Sequence, residues 1–135
     1  MYKDTKIRLG WLKFMYFYTI VGAGGFGLGM IFVPGVILPA FRFPAQDPVV
    51  LGIVGSSYVA FGLASVLGLR APLKFAPLLL LQLTYKIIWS IVVAIPLLLS
   101  KGLPVHAILL LVIFSTYIIG DLIAVPFSYV FSRHE

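Results

Sequence analysis

The sequence contains no cysteine and only two histidines. Without cysteine the chain has no disulfides, no thiolate metal sites and no cysteine nucleophile. His106 and His134 lie far apart, near the two ends of the last apolar run, so they are not expected to share a metal ion. The sequence therefore predicts no metal site.

Acidic residues are also scarce, and they do not form a catalytic set. The four acids are Asp4, Asp47, Asp121 and Glu135. Only Asp121 lies near the middle of an apolar run, so a pair of catalytic carboxylates is missing. No histidine lies near Ser57 or Ser90 to activate a hydroxyl nucleophile. We therefore predict no catalytic residues and favour a protein that is not an enzyme.

Charge of either sign is rare, and long apolar runs take its place. Charged residues make up 10% of the chain and hydrophobic residues 61%, whereas soluble domains are about 25% charged and about 45–50% apolar. Such a composition is typical of an integral membrane protein. At 135 residues, the chain is predicted to form one transmembrane domain over residues 1–135.

Four apolar runs are each long enough to cross the hydrocarbon core, which takes about 20 residues of helix. They predict helices over residues 11–33, 48–69, 75–99 and 106–131, approximately. The connection at 34–48 is rich in proline and aromatic residues and is expected to lie at the membrane surface. Because the other connections are short, the runs favour an all-α, antiparallel four-helix bundle.

Basic residues are distributed unequally between the two predicted sides of the membrane. One side carries Lys3, Lys6, Arg8, Lys13, Arg70, Lys74 and Arg133. The other side carries Arg42 and Lys101. The excess on the first side predicts that both termini lie in the cytoplasm. The net charge of +6 is explained by basic residues that set this topology and contact anionic lipid headgroups. Nucleic acid is not an expected partner, because no soluble fold accompanies the basic residues.

Small residues recur at helical spacing in the first two runs and predict close helix packing. Gly25 and Gly29 form a GxxxG pair in the first run, and such pairs let two backbones approach closely. In the second run, the small residues at every fourth position are Ser56, Ala60, Ala64 and Gly68. We expect both sets to contact other helices, the first set within the same chain.

Two charged residues lie in the middle of apolar runs, Lys86 in the third and Asp121 in the fourth. At about 1.5 Å per residue they lie roughly 20 and 22 Å from the same membrane face, and Ser57 is level with Lys86. An isolated charge at a helix centre costs about 2.5–3.5 kcal/mol. We therefore predict a Lys86–Asp121 salt bridge. Polar side chains that support this salt bridge are predicted among Gln82, Tyr85, Tyr117 and Ser57.

Helical spacing adds further residues to this predicted mid-membrane layer. One face of the third run carries Gln82, Lys86, Trp89 and Ser90. One face of the fourth run carries Tyr117, Asp121, Ala124 and Ser128. The candidate buried polar or ligand-binding residues are Lys86, Asp121, Gln82, Tyr85, Trp89, Tyr117 and Ser57. Two interpretations stay open: the layer specifies the bundle, or it binds a ligand or a proton.

Two stretches of the chain resemble a known family. One contains Phe32-Val33-Pro34-Gly35 and Phe43-Pro44-Ala45-Gln46-Asp47-Pro48 and extends to Gly55 and Gly62. The other is Gln82-Leu83-Thr84-Tyr85-Lys86. Together they resemble small bacterial four-helix membrane proteins of the DoxX-like kind. The resemblance implies a four-helix bundle in a bacterial inner membrane and, for the namesake of the family, an association with quinone-linked oxidation. No residue set for that chemistry is visible here, so no catalytic role is carried over.

Two kinds of function follow as hypotheses. The first is an accessory or scaffold subunit of a larger membrane complex, or a homo-oligomer, with no cofactor. The second is a protein that binds or transports a lipid, a quinone or another small molecule, using Lys86, Asp121, Gln82 and Tyr85. A proton or ion pathway is a weaker hypothesis, because neither half of the membrane carries further charged steps. The lipid bilayer is an expected partner in every case.

Overall fold

The four apolar runs form long helices in the computed structural model, which describes residues 7–133. The helices that are long and apolar enough to cross a membrane are α1 (Leu9–Phe32), α3 (Pro48–Arg70), α4 (Ala76–Ser100) and α5 (Val105–Ala124). Two short helices are α2 (Pro34–Ala40) and α6 (Phe127–Val130). Within the described range there is no strand. The all-α class is thus confirmed, and the length and composition of these four helices suggest a multi-pass membrane protein.

Several residues used in the sequence predictions lie outside the described residues. They are Lys3, Lys6 and Asp4 near the start, and His134 and Glu135 at the end. Arg8, which is described, donates from Nη1 to the carbonyl oxygen of Ile123 at 2.8 Å. This bond ties the start of α1 to the last turn of α5.

Proline and its neighbours set the ends of several helices. Pro48 opens α3 in its first turn, and the Asp47 carboxylate accepts a hydrogen bond from the Val50 amide at 3.0 Å. Pro126 follows the end of α5, so the predicted helix over 106–131 is too long: it stops at Ala124 and resumes only as α6. The predicted connection at 34–48 contains α2, which the sequence analysis did not predict.

Two of the long helices contain a π-helical segment, in which the turn is wider than in an α-helix. These segments are Ile20–Gly24 in α1 and Trp89–Ala94 in α4. The segment in α4 comes just before Pro96, whose ring would otherwise clash with the carbonyl group four residues earlier. Each segment begins close to a buried polar residue, Thr19 in α1 and Lys86 in α4, and such segments often occur at functional sites.

Glycines bring α1 and α3 into backbone contact. A Cβ atom on Gly62 would lie 2.8 Å from the Cα atom of Gly24, and one on Gly27 would lie 2.6 Å from the Gly55 carbonyl oxygen. The predicted pair is therefore wrong in its register. Gly25 is exposed with nothing within 4 Å of a Cβ, and Gly29 faces Ile37 of α2 instead of another spanning helix.

The predicted small-residue ridge on α3 is also mostly wrong for contacts inside this chain. Ser56 and Ala60 are exposed, and Ala64 is half-buried. Only Gly68 makes the expected close contact, since a Cβ there would collide with the Tyr16 ring. The residues that pack are instead Gly55, Gly62, Ser65 and Gly68. Small residues lie on both the predicted face and the observed face of α3. Backbone contact with α1 decides that the observed face is the one that packs.

The main hydrophobic cluster lies at one end of the molecule. Its buried members are Leu12, Met15, Tyr16, Ala76, Leu79, Tyr117, Ala124 and Val125. The Tyr16 hydroxyl donates to the Pro72 carbonyl oxygen at 2.7 Å, which places the α3–α4 turn at this end. We call this end the closed half. The open half lies beyond it and contains the cavities around Phe41, Tyr58, Leu110 and Phe114.

Candidate functional site

Lys86 lies on α4 and is only 2% exposed. Its Nζ atom donates a hydrogen bond to the Tyr85 hydroxyl at 2.7 Å. The same atom lies 4.4 Å from the ring centroid of Tyr85, 4.6 Å from that of Phe114 and 4.5 Å from that of Tyr117. Each of these faces attracts a cation by about 0.5–2 kcal/mol. The ammonium group is therefore held by aromatic faces and one hydroxyl oxygen.

Asp121 on α5 is fully buried and belongs to a separate set of hydrogen bonds. Its Oδ2 atom accepts from Nε2 of Gln82 at 3.1 Å. The Gln82 amide also contacts the Thr19 hydroxyl, with 3.2 Å between Nε2 and Oγ1. Thr19 in turn donates to the Met15 carbonyl oxygen at 2.7 Å. We call Thr19, Gln82 and Asp121 the amide network, and it joins α1, α4 and α5.

One oxygen of Asp121 is left over. Oδ1 is the buried side-chain polar atom without a hydrogen-bond partner among residues 7–133. Gly120, the preceding residue, lets α1 pack directly beside this carboxylate: a Cβ on Gly120 would lie 2.8 Å from Cε of Met15. The surroundings of Asp121 are therefore tightly filled.

The predicted Lys86–Asp121 salt bridge is wrong in this structure. No basic nitrogen lies within 4.0 Å of a carboxylate oxygen anywhere in the described part of the chain. Gln82, one turn before Lys86, faces Asp121 instead. Lys86 therefore lies about 6 Å further along α4 than the residue that contacts Asp121. The two charged residues interact only over a longer distance.

A cavity of about 250 Å³ lies beside Lys86. Aromatic and apolar side chains from α1, α3 and α5 form most of its wall, and Phe41 lies at its α2 side. Lys86 is the one charged residue in that wall within the described range. The lining includes Lys86, Tyr58, Leu110, Phe114 and Tyr117.

A larger groove of about 580 Å³ runs between α3 and α4. It shares Tyr58, Leu110 and Phe114 with the cavity, so the two spaces adjoin one another. On its outer side, Ile53 is 62% exposed and Leu81 is 58% exposed. Side chains this apolar and this exposed on spanning helices are expected to face lipid, so the groove opens on the side expected to face the bilayer.

The other predicted site residues fall into two groups. Tyr85, Tyr117 and Trp89 lie around the cavity and groove: Trp89 packs edge-on against Phe114 at 5.2 Å between ring centroids. The Tyr117 hydroxyl donates to the Tyr18 carbonyl oxygen at 3.1 Å. Ser57 forms the second group, because it lines the groove but is exposed and donates to the Ile53 carbonyl oxygen of its own helix at 2.8 Å.

Ser57 is therefore not a member of the buried layer, contrary to the prediction. Its neighbour Tyr58 points inward, and the Tyr58 and Tyr85 side chains interact with each other. Counting residues along a helix gives depth but not direction, so it did not distinguish between these two neighbours.

Three residues of the site were missed from the sequence. Thr19 is fully buried and central to the amide network. Phe114 and Tyr58 form much of the cavity wall. A signal for Phe114 was present, because it lies three residues before Tyr117 and thus on the face of Asp121. Thr19 gave no such signal, because a lone threonine in an apolar run usually satisfies its hydroxyl on its own helix.

The site places a buried cation beside an apolar space. The described residues contain no group of three or more His, Asp or Glu side chains that could hold a metal ion. Lys86 instead presents hydrogen-bond donors to an apolar cavity that adjoins a lipid-facing groove. No family model matches the chain, and neither the curated proteins nor the solved structures contain a match.

Proposed function

We propose that this chain binds a small hydrophobic molecule with a polar head, such as a lipid or a quinone, inside the membrane. The observation that carries the proposal is Lys86, a buried cation in the wall of a cavity that is otherwise aromatic and apolar. Pockets of this kind, apolar with a few convergent polar groups, are typical of small-molecule sites. The head would lie against Lys86, and the apolar part would extend toward the groove.

The proposed setting is a bacterial inner membrane. The four spanning helices form an antiparallel bundle in this proposal, and both termini lie in the cytoplasm, where the basic residues are most numerous. Membership of the DoxX-like family, suggested by Gln82–Lys86 and the 32–48 segment, is part of the same proposal. The hydrogen bonds of Arg8 to Ile123 and of Tyr16 to Pro72 support the bundle by joining both chain ends to the α3–α4 turn.

Native mass spectrometry of the protein in mild detergent tests this function. Lys86→Met removes the cation, and Lys101→Met removes an exposed lysine as the matched control. We expect a bound small molecule on the wild type and on Lys101→Met. Its affinity for Lys86→Met should fall about tenfold or more, since a charged hydrogen bond contributes about 1.5–3 kcal/mol. An adduct that survives Lys86→Met unchanged would rule out this site.

A second function, an accessory or scaffold subunit, is favoured by a different surface. Of the four spanning helices α3 is the least buried, and it carries the small residues Ser56 and Ala60 on its exposed side. Such a face allows another helix to approach closely. Cross-linking at near-native expression tests it: a larger assembly that Ser56→Leu with Ala60→Leu disrupts is expected, and recovery of monomer alone contradicts it.

A further inference from the structure

We infer that the ligand is a single-chain lipid carboxylate, with its head on Lys86 and its chain in the groove between α3 and α4. This inference rests on the proposed function and names the chemical class of the ligand.

The donors of Lys86 favour an acceptor with two oxygens. An ammonium group has three N–H donors, and the Tyr85 hydroxyl accepts one of them at 2.7 Å. The faces of Phe114 and Tyr117 attract the charge but offer no oxygen. Two donors therefore remain for a ligand in the cavity. A carboxylate supplies two acceptor oxygens, whereas a quinone carbonyl supplies one.

The charge of Lys86 also favours an anion. A buried cation is normally paired with a carboxylate, yet no ion pair exists within residues 7–133. Asp121 is turned toward Gln82 and does not line the cavity. An anionic head entering from the cavity would reach Lys86 from a side that does not include Asp121. It would supply the contact partner that the protein itself does not provide.

The shape of the site favours a small head and one chain. The cavity of about 250 Å³ is smaller than the roughly 300–1,000 Å³ of typical ligand pockets, so it suits a compact head. The chain leaves past Tyr58 and Phe114, which both spaces share. Beyond them, Leu81 and Trp89 line the apolar groove that opens toward lipid. A phospholipid with two chains and a phosphodiester would need more room at the head.

Trp89 allows a direct binding measurement, because it lines the groove and the chain has only one other tryptophan, Trp11. The Trp11→Phe variant makes Trp89 the sole tryptophan. Stearate brominated along its chain is titrated at low mole fraction in detergent, and the matched neutral probe is the equally brominated stearyl alcohol. Bromine quenches tryptophan fluorescence only at short range, so quenching reports the chain in the groove.

We expect saturable quenching by the brominated acid, with an affinity about tenfold or more above that of the alcohol. Adding Lys86→Met to the Trp11→Phe background should remove this difference, while adding Lys101→Met should preserve it. Equal binding of acid and alcohol overturns the inference on the Trp11→Phe protein, even if the Lys86 variant fails to fold. A preference for the acid that survives Lys86→Met in a folded protein also overturns it.

The result separates this inference from the function on which it depends. If native mass spectrometry finds a Lys86-dependent adduct but the brominated acid does not quench Trp89, the site binds another class of molecule and only the inference fails. The same conclusion follows if a short-chain quinone displaces the native adduct and unlabelled stearate does not. If no adduct and no quenching occur, both the inference and the proposed function fail.

Discussion

The closed half and the open half of the molecule bury polar side chains in different ways. In the closed half, Asp121 accepts from Gln82, which also contacts Thr19, and Met15 packs against the neighbouring Gly120. In the open half, Lys86 meets one hydroxyl and three aromatic faces beside a cavity of about 250 Å³. The protein thus pairs one buried charge with its own amide and places the other in the wall of a cavity.

The contrast indicates a division of roles between the two halves. A filled, hydrogen-bonded interior specifies how helices pack, because each member loses a partner if the packing changes. A buried cation without an ionic partner destabilises the fold unless something else contacts it. We therefore expect substitutions in the closed half to affect stability and substitutions in the open half to affect binding.

The largest effect on stability is expected from a substitution at the close contact between α1 and α3. In Gly62→Val, the new side chain would collide with the Gly24 backbone, and overpacking of this kind costs about 3 kcal/mol when nothing can yield. The matched control on the same helix is Gly52→Val, because nothing lies within 4 Å of a Cβ there. Unfolding followed by circular dichroism in detergent measures both, and equal stabilities would refute the close contact.

The next effect concerns the amide network of the closed half. Gln82→Leu removes the donor to Asp121 and should lower the free energy of unfolding by about 2 kcal/mol, the cost of leaving a buried acceptor unpaired. Adding Asp121→Leu should restore part of this loss, because the lone carboxylate is then gone. Denaturant titration of the two single variants and the double variant gives the coupling. Strictly additive losses would show that Gln82 and Asp121 do not act as partners.

A smaller effect on stability is expected from Lys86 in the open half. Lys86→Met keeps a similar length and removes the buried charge, so the free energy of unfolding should change by no more than about 1 kcal/mol. The same titration measures it. A loss as large as that of Gln82→Leu would contradict the division of roles, and would indicate that Lys86 is a structural partner of Asp121 after all.

The smallest effect is expected at Ser57. Its hydroxyl bonds to the Ile53 carbonyl of its own helix and is exposed, so Ser57→Ala should change stability by less than about 0.5 kcal/mol. Ser57 also lines the groove, but alanine keeps that wall apolar, so binding of the brominated acid in the Trp11→Phe background should also be unchanged. A clear loss of binding would show that the Ser57 hydroxyl itself contacts the ligand.

The spanning helices were predictable because length and apolar composition decide them, as in α3, whose predicted bounds differ from the structure by one residue. Most of the predicted face of α5 was correct: Tyr117, Asp121 and Ala124 are all buried, because side chains at spacings of three and four share a helix face. Ser128, the fourth predicted member, is exposed because the helix ends at Ala124. The end of the helix before Pro126 was not predicted, since a proline in an apolar run can either kink a helix or end it.

The partners across helices were not predictable. Loop counting placed Lys86 level with Asp121, but a shift of one turn puts Gln82 there instead. Helix tilt, the π-helical segments and the exact helix ends each change the depth by a few ångströms, which is enough to exchange one partner for another. The α1–α3 register depends in the same way on backbone contacts between Gly24 and Gly62, which the pattern of small residues does not encode.

The most direct test of the division between a structural closed half and a ligand-binding open half is a density map at side-chain resolution. The protein should be purified with its native lipids for this map. We expect an elongated density that begins at Nζ of Lys86 and runs past Tyr58 into the groove toward Trp89, with Asp121 still bonded to Gln82. A map with no density in the cavity, and with Lys86 in direct ionic contact with Asp121, would contradict the account.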